Sequence, residues 1–216
     1  MSAPHSGQIE VRSETVGPFA ENSYFLFDPE SREAVAIDPG DEADRLLEIV
    51  RRERLDVRAI LNTHCHIDHV GAVSALKAAT GAPFHIHAAD RFLLDGLSAQ
   101  AALFGLRPPA IPEIDGYLVE GQTFELAGGR IAIRILETPG HSPGSVTFHA
   151  GDSLFAGDVL FQSSIGRTDL PGGDYETLLR SIRERLLRYP DATRVWPGHG
   201  PPTTIGRERE TNPFLV

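Results

Sequence analysis

The stretch Thr63-His-Cys-His-Ile-Asp-His69 puts three histidines and one aspartate into six consecutive residues. Neutral imidazole and carboxylate are good ligands for zinc, iron or manganese. His64 and His66 stand two apart in a loop, so both can face one ion. Asp68 and His69 can face a second ion across the turn. A polar loop that merely caps the following helix would not need this density of donors.

Three further donors share one local context. Thr138-Pro-Gly-His-Ser142 places His141 on a Pro-Gly turn after a strand-like run. Phe155-Ala-Gly-Asp158 places Asp158 just beyond another strand, and Trp196-Pro-Gly-His199 does the same for His199. Each signal is weak alone, because a histidine beside Pro-Gly is usually a turn residue. Together, donors at the ends of several strands describe one sheet edge, where clefts form.

The elements that must position these donors follow from periodicity. Strands are expected at Ile9 and Val11, then at 23–27, 34–37, 57–61 and 84–86. Further strands are expected at 117–119, 123–126, 131–136, 145–149, 153–155 and 193–196. Gly128-Gly129 is read as a hairpin turn. Helices are expected at 41–54, 70–79 and 88–94, and an amphipathic one at 174–188. The Gly-, Pro- and Ala-rich segment 95–114 reads as a surface loop or lid. Strands followed by βα units, twice over, predict one α/β domain over 1–216: an αββα sandwich, two mixed sheets flanked by helices.

The 216 residues are 41% hydrophobic, enough for a sizeable core, and carry a net charge of −10. An acidic chain is a poor partner for nucleic acid, which calls for a basic face. No run is apolar enough to span a membrane, and 1–7 lacks the apolar core of a signal peptide. The single cysteine, Cys65, excludes an internal disulfide and points to a reducing, cytoplasmic setting. A small-molecule substrate is the expected partner; the oligomeric state is not legible.

The ordered set His-x-His-x-Asp-His, then His, Asp and His, resembles the metallo-β-lactamase superfamily and, within it, its glyoxalase II-like branch. The resemblance runs from about Gln8 to Leu215. It implies two divalent transition-metal ions: zinc foremost, with iron or manganese as alternatives. His64, His66 and His141 would bind the first ion, Asp68, His69 and His199 the second, and Asp158 would bridge them; Asp68 also takes the catalytic role. A hydroxide held between two ions is a nucleophile near neutral pH. The implied reaction is hydrolysis of a thioester such as S-lactoylglutathione or a related hydroxyacyl thioester. Arg167, in Gly166-Arg-Thr-Asp169, matches the place where the branch carries a basic residue against the thiol cofactor's carboxylate, and so predicts an anionic substrate; the alternative is a surface arginine paired with Asp169 or Asp174. Glutathione-specific members carry a helical C-terminal domain. Only 17 residues follow His199 here, so that domain is not expected, and a smaller or different thioester stands as an alternative to the glutathione one. The rival reading is a persulfide dioxygenase with one iron on His64, His141 and Asp158. Pro197-Gly-His-Gly200 matches the hydrolases instead.

Other residues are assigned no chemistry. His85 and His87 are expected to be strand histidines, and His5 and His149 are not expected to ligate. Cys65 should point away from the ions, and Trp196 should be core. Glu208, Arg209 and Asn212 should dock the tail.

Overall fold

The computed structural model describes residues 9–216; the readings made on His5 and on 1–7 lie outside them. β1 (Glu10–Val16), β2 (Glu21–Phe27) and β3 (Glu33–Ile37) make an antiparallel meander. Helix α1 (Ala43–Glu53) then crosses over to β4 (Asp56–Leu61), which lies parallel to β3. Helices α2 (Ile67–Val70) and α3 (Val73–Thr80) lead to β5 (Phe84–His87). Helices α4 (Arg91–Asp95) and α5 (Leu97–Phe104) lead to β6 (Gly116–Leu118). Both new strands add in parallel, closing a mixed sheet in the order β1-β2-β3-β4-β5-β6.

The second half repeats the plan. β7 (Thr123–Leu126), β8 (Ile131–Glu137), β9 (Val146–Ala150) and β10 (Ser153–Gly157) pair antiparallel. A small hairpin, β11 (Leu160–Phe161) and β12 (Ser164–Ile165), precedes α6 (Tyr175–Ser181), which a wider turn over Ile182–Leu186 extends. β13 (Arg194–Pro197) returns parallel to β10, and β14 (Thr203–Thr204) and α7 (Ile205–Thr211) close the chain. The sheet order is β14-β13-β10-β9-β8-β7.

Both faces of each sheet are covered, so the central strands are apolar throughout rather than alternating. In β2 and β3, Tyr24, Leu26, Val35 and Ile37 meet Ile133, Ile135 and Phe148 of the other sheet. Phe25, Phe27, Ala34 and Ala36 face the helices instead, with Leu46, Ile49 and Leu76. On the far side Leu154 and Ala156 pack against Leu178 and Ile182. The result is the expected αββα sandwich. Among the described residues no helix is long and apolar enough to cross a membrane.

One expectation is corrected. The segment 95–114 is not all loop, because Leu97–Phe104 is helical. Its breakers, Gly96, Gly105, Pro108 and Pro109, lie outside the Leu- and Ala-rich run, and Leu97 and Ala101, one turn apart, are buried. The expected helix over 70–79 is also shorter and broken. α2 begins inside the histidine motif, and α3 starts anew at Val73.

Candidate metal centre

Past the end of β4 the chain bends at Thr63, is extended at His66 (φ −70°, ψ 153°) and then turns helical at Ile67. Extended geometry sends side chains two apart to the same side, which serves His64 and His66. The helical turn that follows swings Asp68 and His69 round to a second position. Asn62 Nδ2 donates to the His69 carbonyl at 2.6 Å and ties the turn back on itself.

The opposite sheet delivers His141, Asp158 and His199 from the ends of β8, β10 and β13. Two glycines let the loops close. A Cβ on Gly157 (φ +49°) would lie 2.2 Å from Thr63 Oγ1, and one on Gly198 would lie 2.2 Å from Asp158 Oδ1. Any side chain there would push the two halves of the centre apart.

All seven sequence-predicted donors meet at this edge. His141 Nε2 lies 3.2 Å from His64 Nε2 and 2.9 Å from His66 Nδ1. Beside this trio, Asp68, His69 and His199 form a second group, with His199 Nε2 3.2 Å from Asp68 Oδ2. Asp158 stands between the groups. Its Oδ2 is 3.6 Å from His141 Nε2 and 3.4 Å from His199 Nε2, and its Oδ1 is 3.4 Å from His69 Nε2.

The outer ring nitrogens show which lone pairs point inward. Asp38 Oδ2 accepts from His69 Nδ1 at 3.1 Å, and backbone carbonyls of Arg167 and Phe19 accept from His141 Nδ1 (2.7 Å) and His199 Nδ1 (3.1 Å). The Thr63 hydroxyl donates to Asp38 Oδ2 at 2.6 Å and so accepts from His64 Nδ1 at 3.1 Å. In the neutral form that a metal ligand must take, rings held this way leave Nε2 of His64, His69, His141 and His199 a bare acceptor. Bare imidazole nitrogens then face one another, and others face the Asp158 and Asp68 oxygens. Among the described residues, His69 Nε2 and Asp158 Oδ1 are buried and find no hydrogen-bond partner. Acceptors converging on acceptors fit cations between them, and imidazole with carboxylate suits divalent transition metals.

Burial and neighbouring charge divide the histidines. Burial pushes His64 well below the usual imidazole range, and burial with the adjacent His141 lowers His66 to about 3. Burial opposes charge on His69 too, but Asp158 and Asp68 outweigh it and raise that ring well above its ordinary value. His199 is lifted to about 10 against burial by bonds to Asp158 and Asp68. Burial would raise the Asp158 carboxyl, yet His69 and His199 hold it well below the carboxylate range. The second group is thus the one whose carboxylates demand positive charge.

Two aspartates essential to this geometry carried no expectation. Asp38 accepts from Thr63 N at 2.7 Å, from the Thr63 hydroxyl and from His69, so its oxygens orient the donor rings. Its signal was present: Asp38-Pro-Gly40 follows a strand just as the turns at His141 and His199 do. Asp90 is buried and accepts from Cys65 N (3.0 Å), Ser142 Oγ (2.7 Å) and Gly144 N (2.6 Å). It joins two ligand loops, and no local pattern marks it.

A cleft of about 530 Å³ opens over the centre, reaching His66, Asp68, His141, Asp158 and His199. Arg167 lines its rim, but the guanidinium is paired with Asp169 through two 2.7 Å bonds and is largely exposed. Gln100 of α5 grips the motif, accepting from Ile67 N at 3.0 Å and donating to the Leu93 carbonyl at 2.8 Å. Cys65 is buried on the helix side, away from the donors. His87 pairs with Glu137 at 3.2 Å, and among the described residues neither His85 nor His149 joins a donor group. Trp196 packs against the intersheet core, stacked on Phe155. Glu208 binds Ser163 N at 2.8 Å, Asn212 the Ser164 carbonyl at 3.0 Å, and Arg209 pairs with Asp191, which docks the tail.

The metallo-beta-lactamase superfamily matches residues 16–199 of this chain. The chain belongs to that superfamily. It is a metallo-hydrolase of that family. A Haemophilus influenzae protein named hydroxyacylglutathione hydrolase GloC is 43% identical over 209 residues, covering 93% of this chain and 95% of that protein. The crystal structure of the BLEG-1 B3 metallo-beta-lactamase matches with a TM-score of 0.89 at 42% identity, covering 96% of this chain and all of that one. TTHA1623, crystallised in a di-iron-bound form, matches with a TM-score of 0.83 at 44% identity, covering 94% of this chain and all of that one.

Proposed function

We propose that this metallo-hydrolase cleaves thioesters, hydroxyacyl thioesters such as S-lactoylglutathione among them, at a two-metal centre. The observation that carries the reading is the pair of donor groups sharing Asp158. His64, His66 and His141 would hold one ion, and Asp68, His69 and His199 the other. The di-iron form of TTHA1623 supports two ions and makes iron a candidate beside zinc and manganese. The name of the Haemophilus relative supports the thioester class.

When bound, such ions supply acidified water and Lewis-acid polarisation of the carbonyl. The protein's own part is positional. The outer partners of His64, His69, His141 and His199 lock each ring so that one nitrogen faces the cleft. Asp68, at the cleft floor 3.2 Å from His199 Nε2, is positioned to hold the proton lost by the attacking water and return it to the departing thiolate. Cys65 takes no part, since burial pushes its thiol well above the ordinary range. Arg167 meets a substrate carboxylate at the rim by exchanging Asp169 for it. The whole chain, 1–216, acts as one domain, and its single buried cysteine accords with the cytoplasm.

A persulfide dioxygenase would need His64, His141 and Asp158 but not the second group, which therefore favours the hydrolase. The test is elemental analysis of protein made in metal-supplemented medium, with parallel assays on S-lactoylglutathione and glutathione persulfide. Two ions and thioester turnover are expected. One iron with oxygen uptake on the persulfide would hand the function to the rival.

A further inference from the structure

The wall of the cleft has a chemistry different from its floor. Above the histidines and aspartates stand Leu93, Leu103, Phe104, Phe161, Ile165 and Leu170. Among the described residues Arg167 is the one cationic side chain apart from histidines lining the cleft, and Asp169 already engages it. Leu103 is 70% exposed and Phe104 39%, at the C-terminal end of α5. Apolar side chains of this size at the mouth of a concave site are wasted on water and gain when a ligand covers them. They are not packing defects: α5 buries Leu97 and Ala101 in the core, while Gln100 fixes it to the motif, so Leu103 and Phe104 are held in place. The Phe104 ring also rests edge-on against Phe19, 5.1 Å between centroids, which stiffens this lip.

We infer that the cleft selects thioesters by an apolar acyl group, longer than lactoyl, seated against Leu103, Phe104, Phe161 and Leu170. The inference rests on the thioester reading above and names the half of the substrate that reading leaves open. A volume of about 530 Å³ accommodates a medium-length acyl chain together with the thioester. A lactoyl group would leave most of the apolar wall wet, and its hydroxyl would gain nothing there. Any carboxylate of the thiol half belongs at the rim, by Arg167, outside the apolar part.

The experiment uses the metal-loaded full chain and a series of N-acetylcysteamine thioesters from acetyl to octanoyl. Binding of the matching non-hydrolysable thioethers is measured beside turnover. kcat/KM should rise about fourfold for each added methylene until the wall is covered. Leu103→Asp, at an exposed position that tolerates charge without unfolding, should flatten that rise, in turnover and in thioether binding alike. Thioester turnover with no dependence on chain length would overturn the apolar cleft and leave the hydrolase reading intact. Chain-length-dependent binding without turnover of any thioester would overturn the hydrolase reading alone. Neither turnover nor binding would overturn both.

Discussion

Asp38 governs the second donor group without belonging to it, and Asp38→Asn tests that directly. The backbone there has φ +48°, a left-handed conformation that asparagine tolerates, so the fold should survive. The new amide oxygen can still accept from Thr63 N, now bonded at 2.7 Å to Oδ1. The amide nitrogen then takes the place of Oδ2, which accepts from the Thr63 hydroxyl at 2.6 Å and from His69 Nδ1 at 3.1 Å. A donor now faces His69 Nδ1, and the ring must move its proton to Nε2, the atom that faces Asp158. A protonated Nε2 cannot ligate. A lost hydrogen bond to a charged group is worth about 1.5–3 kcal/mol, roughly 10- to 150-fold in binding. Outer partners of metal-bound histidines typically contribute about 10- to 100-fold. Affinity at the Asp68–His69–His199 group should therefore fall about 10- to 100-fold. His64 is reached through Thr63, whose hydroxyl loses Oδ2 as its acceptor and can turn its proton towards His64 Nδ1. The assay is zinc titration of metal-free protein against a competing chelator, with circular dichroism to confirm the fold. Two ions bound at wild-type affinity would refute the argument that Asp38 sets the His69 tautomer.

Other perturbations separate the remaining roles. His199→Ala should leave one ion on His64, His66, His141 and Asp158, whereas Asp158→Ala should weaken both, since it removes the anionic ligand that offsets their repulsion; ion stoichiometry across a metal titration tells them apart, and equal losses would contradict a bridging Asp158. Arg167→Ala should raise KM for S-lactoylglutathione about tenfold with metal content unchanged, the low end for a charged bond because Asp169 already occupies the guanidinium. Asp169→Asn should lower that KM, and steady-state kinetics showing neither change would remove Arg167 from substrate binding. Asp90→Ala strands two buried backbone donors, Cys65 N and Gly144 N, and leaves the Ser142 hydroxyl to turn to Ser145 Oγ. At about 1–3 kcal/mol for each unpaired group, part of it relieved by relaxation, a loss of roughly 3–5 kcal/mol is expected in chemical denaturation; a loss below about 1 kcal/mol would mean the loops are held together otherwise.

Much of this protein is written locally. His64, His66, Asp68 and His69 are legible because one short segment carries four donors, and a strand ending followed by a helix turn needs only local backbone geometry to aim them. His141, Asp158 and His199 are legible through a repeated context, a strand followed by a small residue or Pro-Gly, and the sandwich through apolar strands too continuous to face water. What local pattern leaves undecided depends on pairs distant in the chain. Asp90 reads as one more polar residue until folding brings it beneath Cys65, Ser142 and Gly144. Asp38 reads as a turn aspartate until β3 and β4 set it beside Thr63 and His69. Leu97–Phe104 lies between glycines and prolines that weaken its helical signal, and burial of Leu97 and Ala101 decides the helix, as tertiary packing overrides weak propensity. Arg167 is visible in sequence as a cation near the site with Asp169 two residues on, but the apolar side chains that share the cleft with it come together only in the folded chain. Ligand identity needs only residue type and order, whereas ligand orientation and cleft polarity need neighbours that only the tertiary fold supplies.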